Sequence, residues 1–223
     1  MSFRDTIEGM NTQNKESRVK TTLQLVNQML IDCIWSMAQI SRLNLTSATV
    51  SLILNDAPAF VTKTDVFFCD NARIAWNFLI NNLEYNNCWM LMREFNKLMG
   101  RGFDSYAGEL RSSDIEIEGT SWKPGIPYID SVHEQIWKLN EMSDPIEKAI
   151  GYFCYIMKTY PFAGGNRCVA ILMANKILVS EGIGVMSIPV HLKEEFNDYL
   201  NEFYEGDGIQ LRSFLESYCI VYV

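Results

Sequence analysis

The residues best suited to chemistry stand together at 160–168, reading Tyr-Pro-Phe-Ala-Gly-Gly-Asn-Arg-Cys. Gly164, Gly165 and Asn166 tolerate positive φ, so this stretch can turn several backbone N–H groups toward one point. They lie directly before a strongly apolar helical pattern, and the positive end of that helix dipole adds to the nest. Such a loop suits an anion, phosphate above all. Arg167 can close on the same anion with charge-assisted bonds. An ordinary turn between two core helices fits the same spacing, so spacing alone does not choose.

Other reactive groupings are sparse. The six cysteines, Cys33, Cys69, Cys88, Cys154, Cys168 and Cys219, are scattered without a C-x-x-C pair and read as free thiols in a reducing compartment. The two histidines, His133 and His191, have no Cys or second His at ligand spacing, so no metal site is expected. No G-x-S-x-G elbow occurs. The chain of 223 residues carries 19 basic and 27 acidic side chains, a net charge of −8. That sign argues against a nucleic-acid partner, since phosphate neutralisation needs an excess of Lys and Arg. No run of about 20 apolar residues exists to span a membrane. The N-terminus is polar, without the apolar core of an export signal. The expected location is cytoplasmic, in the producing cell or after delivery into a host.

The elements that must hold the 160–168 loop are helical. Leu23, Val26, Leu30, Ile34, Met37 and Ile40 form the apolar stripe of a long helix, and residues 66–83 repeat it through Ala72, Ala75, Trp76 and Leu79. Residues 89–99 give another (Met92, Phe95, Asn96, Met99), stopped by Gly100 and Gly102, and 132–139 a shorter one. Asp144-Pro145-Ile146-Glu147 is a helix start with a capping acceptor, a proline at the first position and a glutamate placed for a capping box. That helix runs to about Thr159, where Pro161 ends it. The helix after the loop is apolar nearly all round, up to Gly182, and belongs in the core. Two more follow at about 192–204 and 210–218. Only 114–118 alternates as a strand does. The first 20 residues read as a loose arm; residues 1–40 are taken as arm and helix, and 41–223 as the main domain.

At this point the chain resembles the Fic/Doc (Fido) family, whose signature is His-Pro-Phe-x-Asp/Glu-Gly-Asn-Gly-Arg-x-x-Arg-Leu-Leu-x-Asn. Pro161, Phe162, Gly165, Asn166, Leu172 and Asn175 fall in register with it. Ala107-Gly108-Glu109-Leu110-Arg111 with Ile115 and Ile117 is similar to the family's flap hairpin and its lead. Asp144-Pro145-Ile146-Glu147 matches the start of the helix before the signature. Ser187-Ile188-Pro189, Glu205-Gly206-Asp207, Leu211 and Phe214 are similar to segments after it. The likeness covers about residues 40–219. It implies an all-α Fic/Doc-type domain with a small β-hairpin flap. It also implies AMP transfer from ATP with Mg²⁺ to a Ser, Thr or Tyr hydroxyl of a target protein. The target's backbone would pair with the flap at Ile115, Glu116 and Ile117.

The departures from the signature are chemical. Tyr160 stands at the catalytic histidine. A phenol titrates near 10 against about 6.5 for imidazole, and losing a matched base costs roughly 10²- to 10⁴-fold in rate. Gly164 replaces the metal-binding acid, so Mg²⁺ loses its carboxylate. Cys168 and Ile171 replace the two arginines that the resemblance assigns to the β- and γ-phosphates. Arg167 is the one basic group left, one residue earlier and about 100° round the helix. Each lost contact is worth about 1.5–3 kcal/mol, so ATP is expected to bind weakly. The candidate set is therefore Tyr160 and Asn166 at the catalytic position, with Pro161, Phe162, Gly164, Gly165, Asn166 and Arg167 around a nucleotide. Three readings stand: altered or residual nucleotidyl transfer, an inactive binding or regulatory module, and transfer of another phosphate-linked group.

Plainer roles fit the remaining residues. His133 reads as a surface histidine and His191 as a helix starter. Cys168 reads as a small core residue, with a helix-activated thiolate as the rival. Arg111 reads as structural, paired to Glu109 or Asp114. Glu116 and Glu118 form a solvated face, and Trp35, Trp76, Trp89 and Trp137 face the core. Asn175 is expected to brace the signature loop. Family members are often silenced by a helix whose glutamate pairs with the second arginine; Thr6-Ile7-Glu8-Gly9, Ser47 with Ser51, and Asn201 before Glu205-Gly206 all fail that motif, and Ile171 offers the clamp no partner.

Overall fold

The computed structural model describes residues 3–57, 60–117 and 119–223, with side chains from residue 14 onward. Its helices are α1 (Phe3–Ile40), α2 (Ser47–Leu54), α3 (Lys63–Asn81), α4 (Trp89–Gly100), α5 (Ile129–Asn140), α6 (Pro145–Thr159), α7 (Asn166–Ser180), α8 (Lys193–Glu205) and α9 (Ile209–Tyr218). The all-α class expected from periodicity is the class found. No helix is long and apolar enough to cross a membrane among the described residues.

α7 is the axis of the fold. Every residue from Cys168 to Val179 is buried, and α6, α4, α1, α3 and β1 (Gly184–Met186) pack around it. Its apolar side chains have no solvent-facing stripe, which is why the sequence reads it as central. α6 packs antiparallel to it across the 160–165 turn. Asp144 caps α6 by accepting from the N–H groups of Ile146 (2.8 Å) and Glu147 (3.1 Å). The Glu147 side chain does not complete a capping box; it pairs with Arg212 at 3.1 Å.

Three expectations need correction. α1 is one continuous helix from Phe3, not a loose arm followed by a helix. Its later turns bury Val26, Cys33, Ile34, Met37, Ala38 and Ile40. Residues 114–117 form no strand: they lie in an irregular connection between α4 and α5, and among the described residues no strand pairs with them. Glu118 lies outside the described residues. The strands instead are β1 and β2 (Ile220–Tyr222), which pair antiparallel with Val185 opposite Val221. Each is three residues long, too short for alternation to register against the neighbouring helical pattern.

Candidate functional site

The 160–165 turn is shaped by its backbone. Tyr160 ends α6 in the left-handed region (φ 45°), and its N–H donates to the Ile156 carbonyl at 2.9 Å. Left-handed geometry costs a side-chain-bearing residue about 1–2 kcal/mol, so the surroundings must hold it. Arg111 does so. It is buried, its Nε donates to the Tyr160 carbonyl at 2.7 Å, and its backbone N–H donates to the Pro161 carbonyl at 3.0 Å. The same guanidinium donates to the carbonyls of Ser113, Pro124, Gly125 and Thr159. Arg111 is thus structural, as expected, but through carbonyls and not through Glu109 or Asp114. Burial pulls its pKa below the usual arginine value, and nearby Asp114 opposes that.

Two asparagines complete the turn. Asn166 is buried; its Nδ2 donates to the Phe162 carbonyl at 2.8 Å and its Oδ1 accepts from the Phe162 N–H at 3.1 Å. Its amide is committed to the loop. Asn96 on α4, also buried, donates from Nδ2 to the Gly164 carbonyl at 2.8 Å and accepts at Oδ1 from the Gly108 N–H at 2.7 Å. Sequence reasoning missed Asn96 by counting it within an apolar stripe. An amide at a core-facing position was the available signal, since a buried amide needs partners. Phe162 is buried behind the loop and stacks on Trp89 at 5.2 Å.

The turn delivers α7 with its N-terminus open. Gly165 is the N-cap, left-handed at φ 75°, and no side chain caps the first turn. The N–H groups of Asn166, Arg167 and Cys168 therefore remain for an anion. Tyr160, Gly164, Gly165, Asn166, Arg167, Glu116 and Ile117 meet around one cavity of about 290 Å³, and the end of α1 supplies Ile40, Ser41 and Arg42 to its wall. Of the candidate residues, Pro161, Phe162 and Ile115 do not line this cavity; Pro161 and Phe162 are buried. Ile117 is buried and Ile115 half-buried, while Glu116 is exposed and pairs with Lys123 at 3.1 Å.

Arg167 is not poised over the cradle alone: its Nη1 donates to the Ile40 carbonyl at 2.5 Å, at the C-terminal end of α1. Cys168 is buried and touches Ser41 Oγ at 3.4 Å. Burial pushes its thiol up to about 11, outweighing Ser41 and Arg167, so the helix end does not make it a thiolate. Ile171 is part of the core. Asn175 bonds Met186 on β1, not the loop. Tyr204 packs on Tyr160 with ring centroids 6.4 Å apart, and burial holds it protonated. His133 and His191 are exposed. Trp76 is buried, but Trp137 is 63% exposed rather than core-facing.

The donor set does not fit Mg²⁺. Gly164 is exposed and offers no oxygen side chain, and among the described residues Glu116 is the one carboxylate on the cavity wall and pairs with Lys123. A phosphate fits better, because amide N–H groups and a helix end hold anions without a metal.

Residues 90–178 match the model of the Fic/DOC family. No curated protein matches the chain. Among solved structures it resembles a Fic domain containing signaling protein from Bacteroides thetaiotaomicron VPI-5482, with TM-score 0.73 and 16% identity over 94% of this chain and 92% of that one. It also resembles Fic-1 from C. elegans, with TM-score 0.70 and 17% identity over 96% of this chain and 71% of that one. A Fic family protein from Desulfovibrio desulfuricans G20 gives TM-score 0.69 and 15% identity over 91% and 69%. At such identities the likeness is one of fold.

Proposed function

We propose, from the match of residues 90–178 to the model of the Fic/DOC family, that the chain is a Fic-type module whose signature loop cradles the phosphate of a nucleotide and whose AMP transfer from ATP to a protein hydroxyl is weak. The observation that carries this reading is the state of the loop's chemistry. The first-turn amides of α7 are uncapped, whereas Arg167, the one basic signature side chain, is bonded to the Ile40 carbonyl. Binding groups of the backbone remain, and the side chain at the catalytic position is a phenol where the signature has an imidazole.

The role of each residue follows. Gly165 lets the backbone turn so that the amides converge. Asn166 holds the turn from inside and contributes its own N–H. Tyr160 occupies the position from which a base would take the acceptor's proton, and a neutral phenol oxygen accepts a hydrogen bond but is a far weaker base than an imidazole nitrogen. An ATP triphosphate would have to draw Arg167 away from Ile40 to gain a side-chain cation from the signature. The target protein would lie along Ile115–Ile117, where the backbone runs without strand pairing. Six free thiols accord with a reducing, cytoplasmic setting.

Incubation with labelled ATP and a lysate tests the reading, with Tyr160→His and Tyr160→His/Gly164→Asp alongside. We expect little label with the natural chain and more with the restored variants. Strong labelling by the natural chain would replace the weak-transfer reading with an active transferase of altered chemistry. Calorimetry with ATP, CTP and CDP-choline tests the cradle itself; no heat from any of them removes the nucleotide.

A further inference from the structure

Away from the signature loop, toward the C-terminal end of α7, lies a cleft of about 1170 Å³. The helix rises about 15 Å from Asn166 to Lys176, which lines this cleft. α1, the connection from α3 to α4, α5 and α6 supply the other walls. The wall carries four lysines and three glutamates, on a chain whose net charge is −8.

Two polar groups of the wall lack partners. Lys176 is 4% exposed, and among the described residues its Nζ bonds only the Tyr85 carbonyl. An ammonium has three donors, so two are left over. Burial lowers its pKa against the pull of Glu181 and Glu84, and Glu181 is paired with Lys15 at 2.7 Å instead. A buried cation in that state favours an anion beside it. Asn87 is the complement. Its carbonyl accepts from Asn140 Nδ2 at 2.8 Å and from the Tyr152 hydroxyl at 3.3 Å, so its backbone is held. Its side-chain Oδ1 is buried among the described residues with no donor. Tyr85 and Asn87 stand two positions apart, so both groups lie within reach of one small ligand. Trp137 and Met90 add apolar surface that is 63% and 61% exposed. Apolar surface with a few convergent polar groups is the composition of a small-molecule site.

We infer that this cleft binds a free aromatic amino acid, with its carboxylate on Lys176, its ammonium on Asn87 Oδ1 and its ring against Trp137 and Met90. A plain carboxylate is the poorer match, because it leaves Asn87 without a donor. The site stands apart from the signature loop and does not depend on the nucleotide reading.

Calorimetry with L-phenylalanine tests it, beside phenethylamine, L-alanine, 3-phenylpropionate and N-acetyl-L-phenylalanine. Phenethylamine lacks the carboxylate and L-alanine the ring, so each should bind at least about tenfold more weakly than L-phenylalanine. 3-Phenylpropionate lacks the ammonium and should lose about threefold or more. Asn87→Ala keeps the backbone bonds of Asn87, and Trp137→Ser alters an exposed position; each should weaken L-phenylalanine by about threefold or more. Lys176→Met should weaken it at least about tenfold. Circular dichroism checks folding, and phenethylamine reports on the same contact should Lys176→Met not fold. Undiminished binding of phenethylamine overturns the proposal, as does an affinity untouched by both Asn87→Ala and Trp137→Ser. No heat from L-phenylalanine overturns it too and leaves water as the partner of Asn87. Tighter binding of N-acetyl-L-phenylalanine would replace the free amino acid with the C-terminus of a peptide.

Discussion

Asn166 and Phe162 exchange two hydrogen bonds: Asn166 Nδ2 donates to the Phe162 carbonyl at 2.8 Å, and the Phe162 N–H donates to Asn166 Oδ1 at 3.1 Å. One side chain thus satisfies both buried backbone groups of a residue that regular structure cannot reach. Asn166→Ala leaves both groups orphaned, at a cost of about 1–3 kcal/mol. Asn166→Asp keeps the acceptor and loses the donor, and should fall between. Urea unfolding measures both; an alanine variant as stable as the natural chain would show that water replaces the amide.

The two neighbouring glycines should behave differently. Gly165 has φ 75°, and a Cβ there would lie 3.1 Å from Asn96 Nδ2, the atom that holds the Gly164 carbonyl. Gly165→Ala therefore combines left-handed strain with a contact on the brace, for a loss of about 1–3 kcal/mol. Gly164 has open space around it, so Gly164→Ala should stay within about 0.5 kcal/mol. Denaturant midpoints of the two variants compare them directly. A Gly165→Ala as mild as Gly164→Ala would mean that the turn relaxes freely.

This contrast marks what the sequence makes legible. The helices could be read because period and caps are local: the Asp144 cap, the Pro161 stop and the unbroken apolar run of α7 each act within a few residues. The turn between α6 and α7 could be read for the same reason, from Pro161 and the two glycines before Asn166. Its supports could not. Asn96 reaches Gly164 across 68 positions, and Arg111 reaches Tyr160 across 49. Arg167 faces the Ile40 carbonyl 127 positions away, so its residue type suggested a ligand contact while the fold supplied a carbonyl. The alternation at 114–118 misled because a strand needs a partner, and among the described residues 114–117 pair with none.

Arg111 predicts how the 111–128 connection is held. Five carbonyls, those of Ser113, Pro124, Gly125, Thr159 and Tyr160, converge on its side chain. A lysine has a point charge and no fork, so it cannot satisfy this ring. Arg111→Lys should cost about 2–4 kcal/mol and expose the connection to protease. Limited proteolysis followed by mass spectrometry reads the cut sites. Retention of the natural cleavage pattern in Arg111→Lys would assign the connection's order to its other contacts, such as Ser121 N–H on Glu205 at 3.0 Å.

The buried thiols set the alkaline limit of the fold. Burial lifts Cys168 from 9.0 to about 11 and Cys154 likewise, and lifts Cys33 and Cys69 to about 12. Below pH 9 the folded and unfolded chains both keep these protons, so the stability linked to them is fully present. Above pH 9 the unfolded thiols ionise first, and stability falls as pH rises toward 11, by up to about 1.4 kcal/mol per pH unit for each thiol. Burial raises Cys219 as well; Lys176 and Lys158 run the other way, since burial lowers their pKa values, but they are two groups against five thiols. Melting temperatures at pH 8, 9 and 10.5 should drop slightly between the first two and steeply between the last two. Cys168→Ala should shrink that drop by one thiol's share. The same protonation predicts that iodoacetamide at pH 8 modifies Cys168 slowly in the native chain and quickly in urea. Rapid native labelling would mean that the α7 N-terminus, rather than burial, controls this sulfur.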